Sequence, residues 1–171
     1  MSNSPPRIWR SPFKVIVFAG LLAGLLDILA ALLVYSVIMR TVPAILLLQS
    51  IASGIFGTSA YKGGWTMALL GVIFHFGLTF CFTIFYFLLY SYSSFLRKHH
   101  VISGILYGLF IWIVMNLGVL PLVLARTAPV TPGAFLIGAL ILITMIGFPL
   151  AFIARKYDMR THWENNERRV G

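Results

Sequence analysis

Two ionisable side chains stand where such groups are expensive. Asp27 is the only charge in the apolar run of residues 15–39, and His75 lies inside the apolar run 65–90. A charge at the centre of a bilayer costs about 2.5–3.5 kcal/mol on insertion scales, so such residues are usually paired and often functional. A carboxylate and an imidazole suit each other, because the imidazole can act as a neutral donor or as a cation. The chemistry within their reach is proton exchange as an ion or substrate binds.

Neutral polar residues share their depth. Counted from the outer helix ends at about 1.5 Å per residue, Asp27 lies roughly 18 Å down, His75 and Thr144 roughly 15 Å, and Asn116 roughly 12 Å. Gln49 would reach the layer from above, about 9 Å below Pro43. The expected intramembrane polar site is therefore Asp27, Gln49, His75, Asn116 and Thr144, with Asp27 and His75 within hydrogen-bond reach directly or through one water. Each residue has a structural alternative. Asn116 and Thr144 can be interhelical hydrogen bonds, worth about 0.6 kcal/mol on average in bilayers. Gln49 can fix a helix, and Asp27 and His75 can satisfy each other and do nothing more.

The elements that must position these groups follow from composition. The chain has 171 residues, 60% hydrophobic and only 10% charged, with a mean hydropathy of +0.94. A soluble domain carries about 25% charge, so the expected fold is an all-α polytopic membrane protein. Four runs are long enough to cross, at residues 15–39, 65–90, 101–124 and 134–153. The apolar piece at 44–55 measures about 18 Å against a hydrocarbon core of about 30 Å, which suits a short re-entrant or interfacial helix. Pro43 can open it, Gly54, Gly57, Gly63 and Gly64 can turn the chain, and Trp65 marks the next interface. Residues 1–14 and 155–171 read as tails, and 15–154 as one domain without a linker. A basic lead before an apolar run also describes a signal peptide, but the cleavable kind has only about 7–15 apolar residues.

Small residues show how the helices pack. Gly20 and Gly24 in the first span, and Gly104 and Gly108 in the third, each form a small-xxx-small face that lets backbones approach in lipid. Asp27 lies on the Gly24 face and should point into the bundle. Gly71, His75 and Thr79 make a similar row in the second span.

Basic residues set the orientation. With four crossings, ten Lys and Arg residues in the N-tail, the 91–100 loop and the C-tail share one side, against Arg40, Lys62 and Arg126 on the other. The richer side is read as cytoplasmic, so both termini are expected there. The formal net charge of +9 is accordingly a membrane feature, with anionic headgroups at the basic tails as partners and no nucleic acid. Cys81 excludes an internal disulfide. There is no metal-spaced Cys/His set, phosphate loop or Gly-x-Ser-x-Gly, and no metal or cofactor is expected. A haem would need a second axial ligand beside His75, with Met115 or Met145 as the candidates.

The pieces GLLAGLLDILAA, LQSIASGIFG, GGW, LLGVIFHF, GILYG and MNLGVLPL, in this order, carry a resemblance. Across residues 19–122 the chain resembles a family of small four-helix bacterial inner-membrane proteins grouped with YagU-like proteins. The resemblance implies a multi-pass inner-membrane protein and supplies no activity. Where that family closes its third span with Leu-Pro-Leu-Ser, this chain has Leu120-Pro121-Leu122-Val123. Two functional readings follow from the residues. In one the chain is a small transporter or permeation unit, dimerising to enclose a pathway past a protonatable Asp27–His75 pair. In the other it is a non-catalytic accessory or lipid-interacting component whose polar residues only lock the bundle.

Overall fold

A computed structural model describes residues 11–119 and 132–158, and among these every regular element is helical. Helix α1 (Pro12–Ala31) starts where Ser11 is extended and Pro12 supplies the first-turn residue with no N–H to satisfy. It continues as π-helix over Leu32–Ile38. The Tyr35 carbonyl then accepts the Thr41 and Val42 amides and the Thr41 hydroxyl, which closes the helix end. Helix α2 (Ala44–Phe56) is followed by a 3₁₀ segment, Gly57–Lys62. Helix α3 (Gly64–Tyr92) has 29 residues, or about 43 Å, enough to cross with tilt. A short α4 (Ser94–Lys98) leads into α5 (His100–Ile113), which becomes π-helical over Val114–Val119. Helix α6 (Pro132–Leu142) runs through a π segment, Ile143–Gly147, and on as α-helix over residues 148–158.

Five helices are long and apolar enough to cross a membrane: Pro12–Ile38, Ala44–Lys62, Gly64–Tyr92, His100–Gly118 and Phe135–Asp158. The sequence reading counts four, because it stops the second of these at residue 55 and treats 58–64 as irregular. The difference lies in the 3₁₀ segment, which rises about 2.0 Å per residue and lengthens the helical stretch. It does not prolong α2 as a straight rod. Gly57 has φ 60° and ψ −151°, a conformation open essentially to glycine alone, and the chain reverses there. The Gln49 amide reaches the Gly64 carbonyl at 2.8 Å, which a straight continuation would carry well over 20 Å away.

Packing follows the small residues. A side chain at Gly71 would collide with the Leu48 carbonyl, so α2 and α3 touch backbone to backbone. Gly108 abuts Ile143, and Gly147 abuts the Gly104 carbonyl, which seats α6 on the small face of α5. Gly20 and Gly24 instead receive the rings of Phe80 and Phe76. The core gathers Val15, Ala19 and Ala23 of α1 with Tyr86, Tyr107, Ile111 and Leu150. On the opposite side of α1, Leu21, Leu25, Leu29 and Leu33 form a ridge at every fourth residue, each about half exposed. Water would penalise a continuous apolar ridge of this kind, whereas lipid solvates it.

The first helix begins at Pro12 and the last runs to residue 158, so both helices extend beyond the apolar runs read from sequence. Expectations for residues 1–10, for the end of the third span and its loop (120–131), and for the tail from 159 lie outside the described residues.

Candidate functional site

The candidate site forms where α1 crosses α3. Gly24 lacks a side chain, so Phe76 can press on it and the helices come close enough for His75 to reach α1. His75 Nε2 lies 2.9 Å from the Gly24 carbonyl oxygen. A carbonyl only accepts, so Nε2 carries a hydrogen in either charge state and donates it there. Asp27 Oδ2 stands 4.0 Å from the same nitrogen, with side-chain exposures of 13% for His75 and 14% for Asp27. That separation is outside direct hydrogen-bond range. Gly24, one turn before Asp27, is the imidazole's direct partner, and the carboxylate sits beside the bond rather than in it.

The backbone of His75 is also tied. Thr79 Oγ donates to the His75 carbonyl at 2.9 Å and Thr83 Oγ to the Thr79 carbonyl at 2.8 Å. This ladder sets the His75 face of α3 against the bundle interior. The Phe76 ring meets the imidazole edge to face at 5.5 Å.

The other expected site residues donate hydrogen bonds to main-chain carbonyls. Gln49 is 2% exposed; its Nε2 donates to the Gly64 carbonyl, while its Oε1 is buried without a partner among the described residues. Asn116 Nδ2 donates to the Trp112 carbonyl at 2.9 Å within its own helix. Thr144 Oγ lies 2.6 Å from the Leu140 carbonyl and 3.2 Å from that of Ile141, and the residue is exposed. Depth alone grouped Asn116 and Thr144 with Asp27; their hydrogen bonds close on their own helices.

Depth counting also left out Tyr35 and Trp112. Tyr35, two turns further along the first helix, interacts electrostatically with Asp27. Its hydroxyl lies 3.5 Å from where a Cβ on Gly138 would stand, and the Trp112 indole nitrogen lies 3.2 Å from the same point. The eight-residue spacing from Asp27 to Tyr35 was the available signal, since it stays on the same side of a helix, about 80° round from Asp27. The Tyr35 hydroxyl and the Trp112 indole nitrogen thus both stand close to Gly138 of α6. Ser36 Oγ, next to Tyr35, is buried without a partner among the described residues.

The π-helical segments fall at these places. They follow Asp27, contain Asn116 and contain Thr144. π-Helical turns are rare and gather at functional sites, because they break the regular hydrogen-bond ladder. A second polar group lies nearer the α3–α5 end, where Tyr86 OH and Ser103 Oγ meet at 2.7 Å and the Tyr107 hydroxyl donates to the Phe82 carbonyl. No group of three or more His, Cys, Asp or Glu side chains that could hold a metal occurs among the described residues.

Fold and site together define a helical, apolar-faced protein with a carboxylate–imidazole pair inside. Compared with family models, curated proteins and solved structures, the chain matches none. The resemblance to YagU-like proteins rests on the short sequence pieces alone.

Proposed function

We propose that the chain is a small transport or permeation unit of a bacterial inner membrane, in which Asp27 and His75 take up and release a proton as an ion or small solute passes. The observation that carries this reading is the 4.0 Å approach of Asp27 to His75 inside apolar helices, with the imidazole held by a carbonyl rather than neutralised by the carboxylate. A pair kept just apart can gain or lose a proton without breaking its own salt bridge. In this reading residues 44–62 dip into the membrane and return, leaving four crossings and both termini in the cytoplasm. Two copies would enclose the pathway, with the π-helical turns and Tyr35 on its wall.

An acid pulse applied to sealed proteoliposomes containing a trapped pH-sensitive dye tests this. The wild-type chain should acidify the lumen well above the rate of empty vesicles, and Asp27→Asn should bring the rate back to that background while keeping the same melting temperature. Equal rates for all three would reject a proton-moving role.

A second reading has its own support. Thr79, Thr83, Asn116 and Thr144 all bond carbonyls of their own helices, which is how an accessory or lipid-interacting component would satisfy its polar groups. In that case Asp27→Asn would lower the melting temperature and leave no transport to lose.

A further inference from the structure

We propose that the end of the bundle where α3, α4 and α6 meet binds a phosphate ester, supplied by the headgroup of an anionic phospholipid. This site is separate from the Asp27–His75 pair and does not depend on the transport reading. A cavity of about 260 Å³ opens there, lined by Phe87, Tyr90, Ser91, Arg97, Tyr157 and Asp158.

Tyr90 makes the case. The residue is 6% exposed, and its hydroxyl is buried with no hydrogen-bond partner among the described residues. Buried hydroxyls are almost always paired, so an orphan in a cavity wall points to an acceptor that comes from outside the chain. Arg97 is fixed beside it. Its Nη1 donates to the Ser91 carbonyl at 2.8 Å and the Tyr90 carbonyl at 3.3 Å, and its Nη2 donates to Ser94 Oγ at 3.2 Å. A guanidinium has five N–H donors, so these bonds hold the group in place without using all of them.

The polar groups of the wall select the ligand's chemistry. Arg97 and Asp158 line the cavity with Tyr90 and Ser91, one guanidinium and one carboxylate. Arg155 is held by His100, whose Nε2 lies 2.7 Å from its Nη1. The Arg97 guanidinium and the unpartnered Tyr90 hydroxyl present donors to a phosphate, whose oxygens accept, and the Asp158 carboxylate can accept from a headgroup hydroxyl.

Size and surroundings favour a lipid as the source. At about 260 Å³ the cavity is far above the roughly 10–15 Å³ that a single water needs on the same measure, which leaves room for a headgroup. Phe87 and Tyr157 give the glycerol an apolar wall, and Leu88, Leu89 and Phe95, close in sequence to the lining residues, are exposed apolar side chains available to acyl chains.

The test titrates dihexanoylphosphatidylglycerol, dihexanoylglycerol and inorganic phosphate separately into the full chain in neutral detergent, reading the melting temperature. The phosphatidylglycerol should raise it saturably and the phosphate-free lipid should not. Tyr90→Phe should melt no lower than wild type without ligand, since it removes only an unpaired hydroxyl, and should need about tenfold more phosphatidylglycerol for the same shift. Protection by inorganic phosphate alone, lost in Tyr90→Phe, would keep the phosphate site and replace the lipid by a soluble source. An unchanged titration in Tyr90→Phe, or equal protection by dihexanoylglycerol, would overturn the proposal.

Discussion

Gln49 donates its side-chain amide to the carbonyl of Gly64 across 2.8 Å, joining the middle of α2 to the first residue of α3. The bond is possible only because Gly57 turns the chain back. The Gln49 Nε2 donates there while its Oε1 has no partner among the described residues, so this one bond is what the side chain gives the turn. Gln49→Leu should therefore cost about 1–3 kcal/mol of stability by leaving the Gly64 carbonyl unpaired. Reversible unfolding in mixed micelles measures it; a cost near zero would mean that the turn holds itself. Single cysteines replacing Thr41 and Lys62, in a Cys81→Ser background, should be labelled from the same membrane face. Labelling from opposite faces would make the segment a fifth crossing.

The glycines fall into two groups that substitution should separate. At Gly71, Gly108 and Gly147 an added methyl meets backbone of a neighbouring helix, which cannot swing aside. Each change to Ala should destabilise by about 1–3 kcal/mol through overpacking. Gly77 lies within α3 with nothing near its missing side chain. Gly77→Ala should be neutral or stabilising by up to about 1 kcal/mol, because alanine is the better helix former. A melting series of the four variants checks the contrast.

Tyr86 and Ser103 are fully buried, and their hydroxyls meet across the α3–α5 contact. Tyr86→Phe and Ser103→Ala should each weaken the bundle, and together they should cost less than their sum. The coupling expected in a membrane protein is about 0.6 kcal/mol and at most about 1.7. Strict additivity of the two melting shifts would show that the hydroxyls do not depend on each other.

Much of the architecture was legible because helices long and apolar enough to cross a membrane write long apolar runs. Their ends were not, since Pro12 and Asp158 depend on local capping and on packing rather than on hydropathy. The shared depth of Asp27 and His75 was computable from the helical rise, and the two side chains stand 4.0 Å apart. The Gly24 carbonyl that holds His75 had no signal at all, because every residue carries one. Asn116 and Thr144 illustrate the limit of depth counting: it fixes height and leaves direction around the helix open, and short polar side chains readily bond the carbonyl one turn back. Gly57 was marked as a turn, but the 3₁₀ helix after it has no distinctive composition.

The account stands or falls on whether Asp27 and His75 work as one unit. Proton flux into sealed vesicles, compared across wild type, Asp27→Asn, His75→Gln and the double variant at equal protein content, tests that most directly. Each single change should lower the flux at least tenfold, and the double variant should be no slower than the slower single, because the second change removes a partner already idle. Flux that persists in either single variant, or losses that multiply in the double, would contradict the paired mechanism.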